Sequence, residues 1–244
     1  MNTATEKFVL QLLEDQGITI INTLEGVEVT GDLDLRDTKI TGLPEGLKVG
    51  GSLILRGSKI AELPGGLTVE GDLDLKDTEI KELPEDLKVG GTLDLRGTEI
   101  AKLPEGLGVR SHLNLGGTEI IELPEGLKIE GSLCLEGSKI TELPKNLKVE
   151  GNLHLTSSKV TELPKGLKVG GSLNLEGTEI TELPEGLEVG NSLNLEGSEI
   201  VKLPKGLKVG GDLDLDDTEV TELPEGVEGW GYLVSQGYKN QRAS

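Results

Sequence analysis

Aromatic side chains are nearly missing: one Phe, one Trp and two Tyr stand among 244 residues. A compact globule of this length fills its core with many more. The shortage points to a repeat protein, whose interior is a narrow column built from one small set of aliphatic side chains. Cysteine is as scarce, and the single Cys134 excludes an internal disulfide framework. Basic residues are in deficit, 24 Lys and Arg against 44 Asp and Glu, for a formal charge of −20. That balance argues against direct binding of nucleic acid or an anionic membrane, both of which need a basic face. It allows a cationic partner, or mimicry of a polyanion. No apolar run approaches the roughly 20 residues that a membrane span needs. Met1 to Gly17 places acidic residues within its apolar stretch and has no basic start, so no classical secretory signal is read there. A soluble protein is expected, cytoplasmic or delivered by a non-classical route.

What is present is a period. Aligned on Leu43-Pro44, the chain falls into register every twenty residues without an insertion, and all ten prolines, Pro44 through Pro224, share one slot. The pair Leu-x-Leu recurs from Leu33/Leu35 to Leu213/Leu215. A fixed period of this length marks a solenoid with one supersecondary unit per coil. Leu93 and Leu95 are two apart and point to one side of a strand; Leu87 and Val89 repeat the pattern, and Ile100 and Leu103 complete the wall. Each such aliphatic contributes roughly 1.5–3 kcal/mol on burial. A proline and several glycines per coil, with apolar spacing of two, exclude helix inside the repeats.

Glycines locked to the period are structural, not a phosphate-binding loop or a linker. The slots of Gly46 and Gly91 are expected to be corners at positive φ, because Asp86, Asn146 and Asn191 replace glycine there; Ser111 fits less well. The slot running from Thr38 and Ser58 to Ser198 and Thr218 always holds a hydroxyl. It predicts a ladder that bonds the backbone of its own and the next coil. An exposed, ice-matching threonine array is the weaker alternative, because the next slot is charged, as at Glu99.

The string Leu-Pro-x-x-Leu, followed by Leu-x-Leu-x-x-Thr-x-Ile, resembles the short bacterial leucine-rich repeat of secreted effector proteins, over about residues 24–228. Two departures stand out: the family's ladder asparagine is Thr or Ser here, and Gly-Leu-x-Val-Gly-Gly replaces its back half. The resemblance implies a mainly β, right-handed solenoid of parallel strands that binds proteins on its strand face. Some effectors append a ubiquitin-ligase domain; the only cysteine here lies within a repeat, so that activity is not carried over. Ten 20-residue coils are expected over residues 23–228. A helical cap and lead-in strand occupy residues 1–22, opened by a capping box at Thr3 and Glu6. An aromatic cap with a disordered tail occupies 229–244. Phe8, Trp230, Tyr232 and Tyr238 all fall in the caps, and the last three are alternatively a binding hot spot.

Function belongs to the outward positions that the fold leaves free. One column of the Leu-x-Leu strand reads Asp34, Ile54, Asp74, Asp94, Asn114, Cys134, His154, Asn174, Asn194, Asp214. Its neighbour reads Arg36, Arg56, Lys76, Arg96, Gly116, Glu136, Thr156, Glu176, Glu196, Asp216 and changes sign near Gly116. Residues 171–228 hold 15 acidic and 3 basic side chains, which makes that end the candidate docking surface for a basic protein partner. The predicted contact set is Asp94, Asn114, Cys134, His154, Asn174, Glu176, Asn194, Glu196, Asp214 and Asp216. Asn114, Cys134 and His154 follow one another in a column, as a thiol, an imidazole and an orienting group would. The site is open and flat without an oxyanion pocket, and no catalytic residue is assigned. The same residues with His112 are the alternative set for a transition metal, though no metal site is assigned, and the cluster of Asp212, Asp214, Asp216 and Asp217 lacks enclosing geometry for a cation. No cofactor is expected. The sequence therefore reads as a non-enzymatic binding scaffold. The alternative is an acidic decoy that mimics nucleic acid, as a phage inhibitor does; Lys48, Lys88, Lys128, Lys168 and Lys208 on another face count against it.

Overall fold

The computed structural model describes Gln11 and residues 20–23, 26–224 and 233–234. The expected N-terminal cap helix and the four aromatics lie outside the described residues. The chain divides into two compact units, Met1–Glu119 and Ile120–Ser244, and each is a solenoid of short strands, nearly all parallel and two residues long.

Two strands recur in every coil. The first carries the Leu-x-Val pair, as in Lys88–Val89, and the second opens the Leu-x-Leu pair, as in Leu93–Asp94. They build two walls, called here the valine wall and the leucine wall. In the first unit the leucine wall pairs Leu33 with Leu53, Leu53 with Leu73, Leu73 with Leu93 and Leu93 with Leu113, all parallel. The valine wall runs from Gly26–Val29 to Gly108–Val109 in the same register of twenty, and Ile20–Thr23 joins it antiparallel at its start. In the second unit the valine wall stacks Lys128, Lys148, Lys168, Glu188 and Lys208. Its leucine wall stacks Leu133 through Leu213, with Leu233–Val234 as a further rung.

Alternation explains the pattern. Successive side chains of a strand point to opposite faces, so Leu93 and Leu95 are fully buried while Asp94 between them reaches outward. Leu87, Val89, Ile100 and Leu103 join them in the core, as the repeat predicts. An aliphatic column of constant width needs no aromatic filler, which accounts for the composition.

Two local expectations are corrected. Asp86 and Asn146 are not at positive φ, although Gly46 at 65° and Gly106 at 78° are. In all these coils Pro and Leu sit at the ends of a tight turn, and Leu87 still donates to the Pro84 carbonyl at 3.2 Å. A type I turn closes the same bond without a left-handed residue. The Gly91 slot is not left-handed either: a Cβ at Gly91 would stand 2.8 Å from the Gly71 carbonyl carbon and oxygen. Glycine is needed there because one coil's backbone lies against the next; nothing in the structure explains Ser111 and Asn191. The slot that does require positive φ is that of Gly57 and Gly97, where Asp37, Asp77, Ser157 and Asp217 take φ of 53–56°.

The hydroxyl ladder is also relocated. Thr78, Thr98, Thr118 and Thr178 donate through Oγ1 to the carbonyl three residues earlier in their own coil, at 2.6–2.7 Å. Ser58, Ser158 and Ser198 are buried without such a bond. The coil-to-coil ladder stands at another slot. Asp32 Oδ1 accepts the Ser52 amide at 2.7 Å, Ser52 Oγ accepts the Asp72 amide at 3.1 Å and Asp72 Oδ1 accepts the Thr92 amide at 2.6 Å. Ser132, Asn152, Ser172 and Ser192 do the same in the second unit. Backbone amides at a corner need partners, and a short oxygen-bearing side chain one coil earlier supplies them.

Candidate functional site

The outward face of the leucine wall holds two columns with different duties. In the first, Asp34, Asp74, Asp94, Asn114, Asn174, Asn194 and Asp214 each turn one side-chain oxygen back to the amide two residues on, at 2.8–3.2 Å. This Asx turn ends the short strand. Asp94, Asn114, Asn174, Asn194 and Asp214, predicted as contact residues, therefore already serve the backbone. They are half-buried, so part of each is still presented outward. The sequence carried this signal, since Asp or Asn at seven of ten coils with a polar turn behind it is the Asx pattern.

Ile54, Cys134 and His154 break the column. Cys134 and His154 are direct partners on neighbouring rungs of the second unit, both half-buried. Among the described residues no third group is bonded to the imidazole, and Asn174, next along, commits its oxygen to the Glu176 amide at 2.9 Å. Asn114 belongs to the first unit and bonds the Gly116 amide. His112 occupies the corner slot of the polar ladder, not the column of His154. Among the described residues no three His, Cys, Asp or Glu side chains converge as a metal site.

The second column carries the charge. In the first unit Arg36 grips Asp34 at 2.5 Å and Arg96 grips Asp94 at 2.6 Å. The bond from Arg36 holds the Asp34 carboxyl below the usual range for Asp. In the second unit Glu136, Glu176, Glu196 and Asp216 have no ion pair among the described residues. The consequence shows at Glu196, whose carboxyl is pushed up, chiefly by the Glu176 charge one coil before, then by desolvation and by Asp214, Asp216 and Asp217. Glu176, Glu196 and Asp216 thus form an unneutralised acidic row with one member per coil. The sequence already set this row apart as the acidic half without a partner; what it did not reveal is that the column beside it is spent on the backbone.

The valine wall offers a contrasting surface. A shallow groove of about 770 Å³ in the second unit is lined by Lys145, Lys148, Lys165, Lys168, Glu188 and Lys208, among others. The sequence had placed lysines on this face without identifying a groove. No helix among the described residues is long and apolar enough to cross a membrane.

No family model matches the chain, and no curated protein is significantly similar to it. Two solved structures are similar. One is a leucine-rich repeat protein of Leptospira interrogans, 18% identical, with 75% of this chain and 71% of that one covered and a TM-score of 0.30. The other is YopM from Yersinia enterocolitica, 19% identical, with 84% and 68% covered and a TM-score of 0.30. The likeness to both concerns fold alone.

Proposed function

We propose that the chain is a non-enzymatic scaffold that binds a protein partner with a basic surface through the acidic row Glu176, Glu196 and Asp216. One observation carries this reading: these carboxylates stack one per coil on the outward face of the leucine wall, and among the described residues none of the three is paired with a cation or bonded to the backbone. Like charges on neighbouring rungs stand about 4.8 Å apart, an arrangement that repels in the free chain and is relieved by a cationic partner. Cys134, His154, Asn174 and Asn194 border the row and act as contact residues. Asp94 and Asn114 are contact residues of the first unit's own leucine wall.

The test begins with proteins captured from cell lysate on the immobilised chain, followed by titration of a captured protein. Glu176→Lys, Glu196→Lys and Asp216→Lys together should abolish binding while leaving the melting curve close to wild type, since none of the three is in the core. Binding by the wild type should weaken with added salt. A triple variant that binds as tightly as wild type would move the functional site off this wall. Loss of capture on adding DNA would instead favour a nucleic-acid mimic.

A further inference from the structure

Among the described residues Glu188 is the one acid in the outward column of the valine wall of the second unit, which otherwise reads Lys128, Lys148, Lys168 and Lys208. Its carboxylate lies 2.9 Å from Lys168 Nζ and 3.6 Å from Lys208 Nζ. The column therefore already clamps one carboxylate between ammonium groups from the coils on either side. The Lys168 bond and charge hold that carboxyl below the usual range for Glu. Lys128 and Lys148 have no acid partner among the described residues and are exposed, and Lys145 and Lys165 add charge along the groove.

The unit thus presents two rows of opposite sign, Lys128, Lys148 and Lys168 on one wall and Glu176, Glu196 and Asp216 on the other. Both advance one coil at a time, so both have the spacing of adjacent strands, about 4.8 Å. They belong to different sheets of the unit and do not meet within it. An extended acidic peptide places same-side carboxylates about 6.8 Å apart and falls out of step after two residues. Another copy of the same coil stays in step for all three.

We infer that the basic row Lys128, Lys148 and Lys168 docks the acidic row Glu176, Glu196 and Asp216 of a second copy of this chain. The inference rests on the acidic row being a docking surface, as proposed above, and names its partner. Exposed ion pairs are individually weak, so the association is concentration-dependent and reversible. It is strongest near 0.1 M salt: the screening length there is about 10 Å, which damps the mutual repulsion of two chains of charge −20 but spares pairs in contact.

Sedimentation or light scattering of the full chain tests this. The wild type should gain mass with concentration at about 0.1 M salt and lose it at about 1 M, where screening reaches about 3 Å. Two variants follow, one with Lys128→Glu, Lys148→Glu and Lys168→Glu, the other with Glu176→Lys, Glu196→Lys and Asp216→Lys. Each alone should stay monomeric, with a circular dichroism spectrum like wild type. Their equimolar mixture should associate, because the acidic row of the first meets the lysines of the second. A milder set with glutamine at the three lysine positions should also be monomeric, and stands in if the reversal impairs folding. A monomeric wild type at 0.1 M overturns this inference and leaves binding of a foreign basic partner standing. Self-association that survives the acid-row variant overturns this inference too, and the titration of a captured protein decides the proposed function separately. A mixture that stays monomeric overturns the pairing of rows.

Discussion

Glycine does two different jobs in this coil, and its substitutions should separate them. At Gly197, φ is 62° and a Cβ would meet nothing within 4 Å. The requirement is conformational, and Asp or Ser meets it in four other coils. Gly197→Asn should therefore cost less than about 1 kcal/mol, and Gly197→Val about 1–2 kcal/mol or more, because a β-branched residue resists the left-handed region. At Gly171 the backbone is ordinary, but a Cβ would lie 2.8 Å from the Gly151 carbonyl carbon and 2.9 Å from its oxygen. Gly171→Ala should cost about 1–3 kcal/mol, as overpacking does. Denaturant midpoints of the three variants measure this, and equal losses at both sites would refute the distinction. Both slots read as glycine with polar exceptions. Only the backbone tells a residue needing positive φ from one pressed against the coil before it.

The two-residue strands are ended by side chains, not by sequence breaks. Asn174 closes its strand by accepting the Glu176 amide, and removing that acceptor leaves a half-buried donor unsatisfied. Asn174→Ala should lower stability by about 1 kcal/mol and leave partner affinity within about twofold. Thermal melts and the titration described above check the two halves. A large affinity loss with unchanged stability would give Asn174 more of the binding than a contact at the border of the acidic row carries. The two outward columns were legible as columns. Their roles were not, because a polar residue facing solvent and one folded back onto an amide look alike in one dimension. The same limit hid the coil-to-coil ladder: Asp32, Ser52, Asp72 and Thr92 recur with the period, but their bonds reach twenty residues along the chain.

Charge acts on the molecule as a whole. Glu196 has a raised carboxyl pKa in the native state, so native stability from this group increases as pH falls through that value. Asp34, Glu99 and Glu188 are lowered by Arg36, Lys81 and the two lysines respectively. Their contribution is present above the unfolded values, 3.8 for Asp and 4.5 for Glu, and is lost as pH falls through their native values. Glu196→Gln should therefore raise the melting temperature modestly at pH 7. Its advantage should shrink as pH falls through the raised native value, where native Glu196 takes up its proton. Added salt should narrow the same difference at pH 7 by screening the row. Melting curves across pH and salt test the pattern, and a Gln variant no more stable than wild type at pH 7 would mean the row is not repulsive.

By itself the sequence determined the period, the six inward aliphatics of each coil, the parallel stacking and the sign of charge along the outer column. Each is a matter of spacing: side chains alternate along a strand, and a twenty-residue register brings like positions together. The pairing of Asp94 with Arg96, and the lack of such a partner for the acidic half of that column, could also be read from the order of charges. The tertiary structure alone decided which polar residues are spent on the backbone, which glycines are pressed against the coil before and where the lysine wall forms a groove. Asn174 turns its oxygen onto the Glu176 amide, and a Cβ at Gly171 would stand 2.8 Å from the Gly151 carbonyl carbon. Both depend on what stands one coil away or on which way a side chain turns, and the order of residues along the chain records neither.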